Sequence, residues 1–326
     1  MSLAAPAAVA LALVLDVLFA EPPGRVHPVA LLGRLVAPLD REWKRPALAG
    51  ALVAISVPLL AAGVAWGAVT AAGMVGPLAG AAVAGLVLFS TTSLRMLLST
   101  ASDVVELTGS DPATARDAVR ALVGRDATSL SPAELRSAAV ESAAENLADG
   151  LVAPLLAFAV GAQLSVAAGA ALAAWVKGVN TLDSMLGYPE KPHGRASARL
   201  DDAVMWLPAR ASALLLAATA GDPAAVGRAR RWARAPPSPN SGWPMATLAT
   251  ALGARLAKPG AYDLNPGDPL PDGAVARRGV RTVGLAGALA FLLAGLLALG
   301  PAAATLVPVA TAGPLPVETL VVVAPC

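Results

Sequence analysis

The chain has 326 residues, of which 56% are hydrophobic and only 14% charged, and its mean hydropathy is +0.65. Soluble domains carry about a quarter charged residues, so this composition disfavours an ordinary soluble fold. The net charge of +2 is too small to indicate nucleic-acid binding. Two histidines and a single cysteine, the terminal Cys326, exclude an internal disulfide and any metal site built from His or Cys.

Long runs without Asp, Glu, Lys or Arg show where a membrane fits. They cover 46–94, 150–176 and 282–317, with lengths of 49, 27 and 36 residues. A spanning helix needs roughly 20 apolar residues, so the first run holds two spans, with a turn in the Gly- and Pro-containing segment 73–77. The alternative is an Ala-rich helical protein with a large buried core, but ordinary core helices are shorter than these runs.

In chain order, apolar segments lie near 3–20, 47–66, 75–94, 150–176, 203–220 and 282–299, with a weaker one near 302–324. The first segment does not resemble a cleaved signal, because no basic residue precedes it and Asp16 lies inside it. We therefore expect a single membrane domain over 1–326, with an all-α multipass fold in a lipid bilayer.

Four polar stretches connect these segments: 21–45, 95–149, 177–202 and 221–281. The first holds five basic residues, the turn at 73–77 holds none, and 221–281 holds nine. The positive-inside rule therefore places all four stretches in the cytoplasm, as expected for a plasma-membrane protein whose cytoplasmic helices and loops carry the chemistry.

Local signals predict structure within the polar stretches. Asp111-Pro112 starts a helix that Gly124 can close, and the capping box that begins at Ser131 starts a second helix, ending near Asp149 before Gly150. Eight prolines between 236 and 271 predict irregular backbone in 221–281, with one short helix near 245–256.

The second helix carries an acidic stripe. Glu134, Glu141, Glu145 and Asp149 share one face at 100° per residue, and Asn146 lies beside them. A solvated acidic face is the simpler explanation. The alternative is a Mg²⁺ ion held by one or two of these carboxylates together with nucleotide phosphates.

Further polar groups follow the second uncharged run. Lys177 is followed by Asn180, Asp183 and Ser184. A lysine at this position commonly extends to the membrane interface, but polar groups beside a membrane also need partners. A second cluster contains Arg199, Asp201 and Asp202, which could equally form surface ion pairs.

A rigid loop, SPNSGWP at 238–244, supplies hydroxyl, amide and aromatic groups, although as a bare pattern it predicts only a turn. Neither a GxxxxGKS-type phosphate loop nor a G-x-S-x-G motif occurs in the sequence. Any ATP site must therefore be of another kind.

Several motifs together resemble one family. These are EPPGRVHPVALLGRL (21–35), VGRDAT (123–128), AVESAAENLADGLVAPL (139–155), KGVNTLDSMLGY (177–188), ARLDD (198–202), PAR (208–210) and SPNSGWP (238–244). In sequence and order they resemble the adenosylcobinamide-phosphate synthase family of cobalamin biosynthesis, over most of 10–265. The segment between Tyr188 and Ala198 is shorter than the family pattern, and Met245 and Glu21 depart from it.

The resemblance implies a multipass membrane enzyme that uses ATP and Mg²⁺ to join adenosylcobyric acid to aminopropanol phosphate by an amide bond. It also allows a homo-oligomer or contacts with other pathway enzymes. Polar positions within the matched motifs become candidates for three roles. The catalytic candidates are Lys177, Asp183 and Arg199. The metal candidates are Glu141, Glu145, Asp149, Asp201 and Asp202. The candidates for binding nucleotide or substrate are Arg34, Asn146, Asn180, Ser184, Arg210, Ser238 and Asn240.

Two other functions remain open: a transporter or binding protein for a corrinoid or another large polar metabolite, and a scaffold subunit. Transporters carry polar residues at breaks within their spans. Here the polar residues collect in loops and at helix ends, which favours chemistry at the membrane surface.

One conflict makes a structural prediction. A single straight helix over 150–176 would put Asp149 and Lys177 on opposite sides of the membrane, although one reaction needs them together. Gly161-Ala162-Gln163 leaves too few residues on either side to span singly. We therefore predict a re-entrant hairpin that turns at 161–163, and a second short hairpin or half-span over 203–220.

Overall fold

The computed structural model describes residues 3–25, 27–120, 122 and 127–300. Its regular structure is almost entirely helical, which confirms the predicted all-α class. The helices are α1 (Ala4–Phe19), α2 (Pro28–Val36), α3 (Pro46–Val75), α4 (Pro77–Thr91), α5 (Arg95–Ser110), α6 (Pro112–Val119), α7 (Pro132–Leu147), α8 (Ala153–Gly161), α9 (Val166–Leu186), α10 (Arg195–Val204), α11 (Trp206–Thr219), α12 (Ala225–Ala229), α13 (Gly242–Leu252) and α14 (Gly273–Ala298). Two short strands are β1 (Leu256–Lys258) and β2 (Tyr262–Leu264).

Within the described ranges, four helical segments are long and apolar enough to cross a membrane: Pro46–Val75, Pro77–Ser110, Pro132–Gly161 and Gly273–Ala298. The predicted pair of spans in 46–94 is confirmed, because α3 ends at Val75 and α4 begins at Pro77. The helix that starts after Asp111 ends at Val119, earlier than the predicted end at Gly124. Gly124 itself and the predicted segment at 302–324 lie outside the described residues.

Asp16 is explained by the break between α4 and α5. Its carboxylate is 1% exposed and accepts hydrogen bonds from the N–H groups of Leu94 and Arg95, at 2.9 and 3.1 Å. These N–H groups lie at the start of α5, where no partner within the helix is available. The single charge of the first apolar segment is therefore satisfied by capping another helix.

The acidic helix is longer than predicted. Ser131 and Glu134 form the expected capping box at its start. The predicted end at Gly150 is wrong. The helix continues through a π-helical turn (Ala148–Val152) directly into α8, and this helical segment ends at Gly161. The Gly150 carbonyl accepts a hydrogen bond from the Ser93 N–H at 3.0 Å, so a group loosened by the wider turn is satisfied from another helix.

The predicted helical hairpin after this helix is confirmed, and its re-entrant placement in a membrane stays a prediction. The chain turns at 162–165, and α9 then packs back along α8. A Cβ at Gly161 would lie only 2.6 Å from the Ala168 carbonyl oxygen, so the two helices meet at van der Waals distance through a glycine. The ends of the hairpin that carry Asp149 and Lys177 therefore lie on the same side of the turn.

The predicted second hairpin within 203–220 is wrong, since α11 is one uninterrupted helix. Pro208 lies in its first turn, where a missing N–H costs little. Arg210 also causes no break, because its guanidinium donates back to the Trp206 carbonyl and outward to Asn240. The interpretation as a half-span is untested.

The basic stretch 221–281 is more regular than its prolines suggest. The predicted short helix is present as α13, a few residues early, and α12 and a β-hairpin were missed. In the hairpin Lys258 pairs with Tyr262. The hairpin is fixed to α7 by a hydrogen bond from the Ala257 N–H to Ser137 Oγ at 2.8 Å.

Candidate active site

The acidic stripe of α7 divides into parts with different surroundings. Glu134 belongs to the capping box and lies away from the other carboxylates along the helix. Glu141 is 4% exposed, and its Oε1 accepts a hydrogen bond of 2.8 Å from the Tyr262 hydroxyl. Asn146 donates to the carbonyl and hydroxyl of Ser142, one turn earlier. The stripe therefore faces protein for much of its length and is not a solvated face.

Asp149 lies at the centre of a charged cluster. It is half-buried in the π-helical turn and interacts electrostatically with Glu145, Asp183, Asp201 and Lys177. The π-turn is a common device at functional sites, because it redirects one side chain out of the regular helical face. The motifs that contain Asp149 and Lys177, which the α8–α9 hairpin was predicted to bring together, are therefore neighbours.

Asp201, on α10, joins this cluster from a third element. It is 8% exposed, and its Oδ1 has no hydrogen-bond partner among the described residues. Burial, and then the carboxylates of Asp183 and Asp202, raise the pKa of Asp201 to about 7, while a hydrogen bond with Asn180 acts in the opposite direction. A bound cation would favour the ionised form and reverse this shift.

The SPNSGWP loop covers the same region. The Ser238 hydroxyl donates to the Asp202 carboxylate at 3.4 Å, and the buried Asn240 amide donates to the Asp202 carbonyl at 2.7 Å. Arg210 donates to Asn240 Oδ1 at 2.5 Å and lies over the rings of Trp206 and Trp243. This arrangement makes the loop a fixed wall, with Arg210 and Asn240 holding it in place.

Three predicted residues lie apart from the cluster in exposure or orientation. Arg34 and Arg199 are exposed and make no hydrogen bond or ion pair with the described residues. Ser184 is exposed and donates to the Thr181 carbonyl of its own helix. No contact between these three residues and the charged cluster supports their suggested roles in catalysis and binding, which stay predictions.

Polar residues of the N-terminal motif surround Lys177 and were not predicted. Glu21 interacts electrostatically with Lys177 and accepts a hydrogen bond of 2.6 Å from the Ser93 hydroxyl. His27 lies 3.9 Å from Glu21 and, like Lys177 and Ser93, lines a cavity of about 480 Å³. The EPPGRVHP motif is the sequence signal that indicates these residues.

A second cavity, of about 210 Å³, lies between α7, the proline-rich loop and the β-hairpin. We call it the hairpin cavity; among its lining residues are Glu141, Glu145, Ser238, Ser241, Lys258 and Tyr262. Lys258 and Tyr262 were missed because the hairpin itself was not predicted. Glu145 lines this cavity and also interacts with Asp149, so it connects the hairpin cavity to the charged cluster.

The five predicted metal ligands do not form a complete protein-only site. Among the described residues, no three Asp, Glu, His or Cys side chains converge closely enough to enclose a metal ion. Mg²⁺ in phosphate-transfer sites is held by one or two carboxylates, water and substrate phosphates, so a complete cage is not required. The unpartnered Oδ1 of Asp201 beside Asp149 and Asp202 fits such a partial site.

Comparison with known proteins identifies the family. The model of the CobD/CbiB protein family matches residues 9–289. The chain is 39% identical to a cobalamin biosynthesis protein CobD of Geobacter metallireducens, covering 90% of this chain and 96% of the relative. It is 34% identical to a probable cobalamin biosynthesis protein CobD of Methanothrix thermoacetophila, over 88% and 95%. The cobalamin biosynthesis protein CbiB of Salmonella typhimurium is 36% identical, over 77% and 82%.

No solved structure matches the chain. The family match spans α1 to α14 and includes every element of the charged cluster. The chain belongs to the CobD/CbiB family of cobalamin biosynthesis proteins.

Proposed function

We propose that this protein is an ATP-dependent amide ligase that joins adenosylcobyric acid to aminopropanol phosphate and gives adenosylcobinamide phosphate. The observation that carries this proposal is the meeting of Asp149, Lys177 and Asp201, which come from three different helices and are far apart in sequence. Buried and half-buried charges that perturb one another in one cluster are typical of catalytic sites. Family membership independently supports a role in cobalamin biosynthesis.

The proposed reaction has two steps. A carboxylate is a poor acyl donor, so the corrinoid carboxylate first attacks the γ-phosphorus of ATP and ADP leaves, which gives an acyl phosphate. The amine of aminopropanol phosphate then attacks the acyl carbon, loses a proton, and inorganic phosphate leaves as the C–N bond forms. Both steps move negative charge, which explains the need for cations close to carboxylates.

Residues of this chain have distinct proposed roles in these steps. Asp149, Asp201 and Asp202, with Glu145, would hold Mg²⁺, which shields the charge of the ATP phosphates. Lys177 stabilises charge on the transferred phosphoryl group. Asp183, on the same helix and within the same electrostatic cluster, accepts the proton of the attacking amine.

The membrane arrangement follows from the same proposal. ATP is found in the cytoplasm, so the charged cluster faces the cytoplasm and the turn at 162–165 points into the bilayer. This orientation agrees with the positive-inside rule for the nine basic residues of 221–281. Neighbouring helices, including α3 and α4, pack against α9, as the backbone of a re-entrant segment requires.

The direct test is product formation. Detergent-purified protein is incubated with adenosylcobyric acid, aminopropanol phosphate and Mg-ATP, and we expect an amide product and ADP, both detected by mass. Asp201→Asn should remove this activity, whereas Asp103→Asn, on an exposed part of α5, should retain it. No ATP consumption and no amide product from folded wild-type protein would contradict the proposal and favour a scaffold or a transporter.

A further inference from the structure

A groove between α5 and α14, which we call the α5–α14 groove, lies apart from the charged cluster. Its volume is about 450 Å³, and its lining residues include Leu98, Ser102, Glu106, Arg277, Arg281 and Leu285. The helices that carry Asp149, Lys177 and Asp201 contribute none of the groove's lining residues. The α5–α14 groove is therefore separate from the proposed reaction.

The two helices of the groove run antiparallel. A Cβ at Gly284 would lie 3.2 Å from Leu98 Cδ1, and a Cβ at Gly287 would lie 2.5 Å from Leu94 Cδ1. The contacts therefore move toward the start of α5 as they move toward the end of α14. This order places Glu106 at the same end of the groove as Arg277, and Leu98 at the same end as Leu285. One end of the groove is charged and the other is apolar.

The charged end carries more positive than negative charge. Arg277 and Arg281 are exposed and lie four residues apart, so they share one face of α14. Arg277 interacts electrostatically with Asp272 at the start of α14, and Arg281 makes no hydrogen bond or ion pair with the described residues. Within the same described part of the chain, Glu106 forms no ion pair with either arginine. The charged side chains that line the groove therefore sum to +1.

The neighbouring Arg278 has a different role. Its guanidinium donates to the Leu252 carbonyl at 2.9 Å, so it links α14 to the end of α13. Arg278 does not line the groove, whereas Arg277 and Arg281 do. Two of the three arginines at the start of α14 are therefore directed to the groove, and the third is used inside the protein.

The apolar end of the groove continues into the surface of α14 that faces lipid. This helix is long and apolar enough to cross a membrane, and its large exposed apolar side chains begin at Leu285 and extend to Leu297. Arg281 and Arg277 precede Leu285 by four and eight residues, which is roughly 6 and 12 Å along the helix axis. Both guanidinium groups can therefore reach the level of the lipid headgroups.

These features favour one class of ligand. A basic pocket between spanning helices is a suitable site for an anionic lipid headgroup, and guanidinium groups form charge-assisted hydrogen bonds with phosphate oxygens. A headgroup with a net charge of −1 neutralises the +1 of the groove, whereas a zwitterionic headgroup does not. The half-buried Ser102 adds a hydroxyl donor to the same groove.

We propose that the α5–α14 groove binds one anionic phospholipid, with its phosphate on Arg277 and Arg281 and an acyl chain along Leu98 and Leu285. This inference goes beyond the proposed reaction and does not depend on it. Because α14 also packs against α7 and α8, the bound lipid supports the helices on which the acidic residues lie.

The test is lipid binding by the full chain in detergent. The purified protein is titrated with phosphatidylglycerol or with phosphatidylcholine of the same acyl chains, and bound lipid is counted by native mass spectrometry. We expect wild type to bind phosphatidylglycerol at least about tenfold more tightly than phosphatidylcholine. The double substitution Arg277→Gln and Arg281→Gln should reduce this ratio to about one. The matched control, Arg230→Gln with Arg231→Gln, removes the same charge at exposed positions outside the groove and should keep the wild-type ratio.

A further variant should change the preference in the opposite direction. Glu106→Gln removes a carboxylate from the groove and should strengthen the preference for phosphatidylglycerol about threefold or more. A misfolded protein would not show such a gain. The pair Arg277→Lys and Arg281→Lys should keep part of the preference, because an ammonium preserves the charge but not the planar fork.

Four results would overturn the inference. The first is equal binding of the two lipids by folded wild-type protein. The second is an unchanged preference when both arginines of the groove are replaced by glutamine, and the third is an equal loss in the Arg230 and Arg231 control. The fourth is displacement of bound phosphatidylglycerol by an equal concentration of water-soluble glycerophosphoglycerol, which would identify a site for soluble anions.

Discussion

Two apolar helical segments of equal length differ in how much of their surface is covered by the rest of the protein. Pro46–Val75 and Pro132–Gly161 each contain 30 residues and are apolar enough to span a membrane. In the most apolar 18-residue window of each segment, 28% of the residues of the first are buried within the protein and 67% of those of the second. The first leaves large side chains such as Leu52, Ile55 and Val64 exposed, whereas the second carries Glu141, Glu145 and Asp149 and is surrounded by other helices.

This difference has a physical cause. A carboxylate facing lipid costs several kcal/mol, so a helix that carries three of them near a membrane has to be enclosed by protein. The uncharged α3 faces no such cost and can serve as an outer support, packing against α9 on one side. Apolar length therefore indicates where spans lie, and the embedded charges indicate which of them holds the site.

The largest expected effect is at Glu145, on the enclosed helix. If Glu145 holds Mg-ATP with Asp149, Glu145→Gln should lower kcat by more than about 100-fold while the protein remains folded in the membrane. The matched control is Glu42→Gln, at an exposed position before α3. Wild-type turnover and wild-type Mg²⁺ dependence in Glu145→Gln would exclude it from the site.

Lys177 gives a second test, because it separates phosphate chemistry from anchoring at the interface. Arg also extends to the interface but places a wider, planar group in the site. We expect Lys177→Arg to insert normally and to lose most of its ligase activity, about tenfold or more. Retained activity, with normal insertion measured by membrane fractionation, would identify Lys177 as an anchor.

Two Gly→Ala substitutions, one in each helical segment, compare how closely the segments pack through their effects on the stability of the protein. A Cβ at Gly161 would lie 2.6 Å from the Ala168 carbonyl oxygen, so Gly161→Ala should destabilise the hairpin by about 1–3 kcal/mol. Gly63, on α3, has no atom within 4 Å of such a Cβ, so Gly63→Ala should be stabilising by about 0.5–1 kcal/mol. Thermal unfolding in detergent measures both; equal shifts in Tm would mean that α8 and α9 are not in close contact.

The smallest effect is expected at Tyr262. Tyr262→Phe removes the hydroxyl that donates to Glu141 and should lower the free energy of unfolding by about 1–2 kcal/mol. Activity should fall modestly, because the β-hairpin stays attached to α7 through the hydrogen bond from Ala257 to Ser137. Urea titration and the KM for aminopropanol phosphate report the two effects separately. A complete loss of activity without a change in stability would assign Tyr262 to the reaction.

Much of the fold followed from local signals. The pair of spans around Gly76, the N-cap at Asp111, the capping box at Ser131 and the hairpin near Gly161 were all predicted, because charge, proline and glycine act at short range along the chain. The errors occurred where tertiary contacts supply what the local sequence lacks. The helix continues past Gly150 because Ser93 satisfies its carbonyl, and the β-hairpin forms because α7 provides a partner for Ala257.

The candidate site shows the same division. The sequence by itself determined a helical membrane protein with carboxylates in five motifs, since composition and periodicity require no knowledge of packing. Only the tertiary structure decided that Asp149, Lys177 and Asp201 meet, that Arg210 is used to hold a loop, and that Lys258 faces a cavity beside Glu145. The reason is that electrostatic interactions act over a few ångströms in space, and the distance between two residues along the chain does not specify their separation in the folded protein.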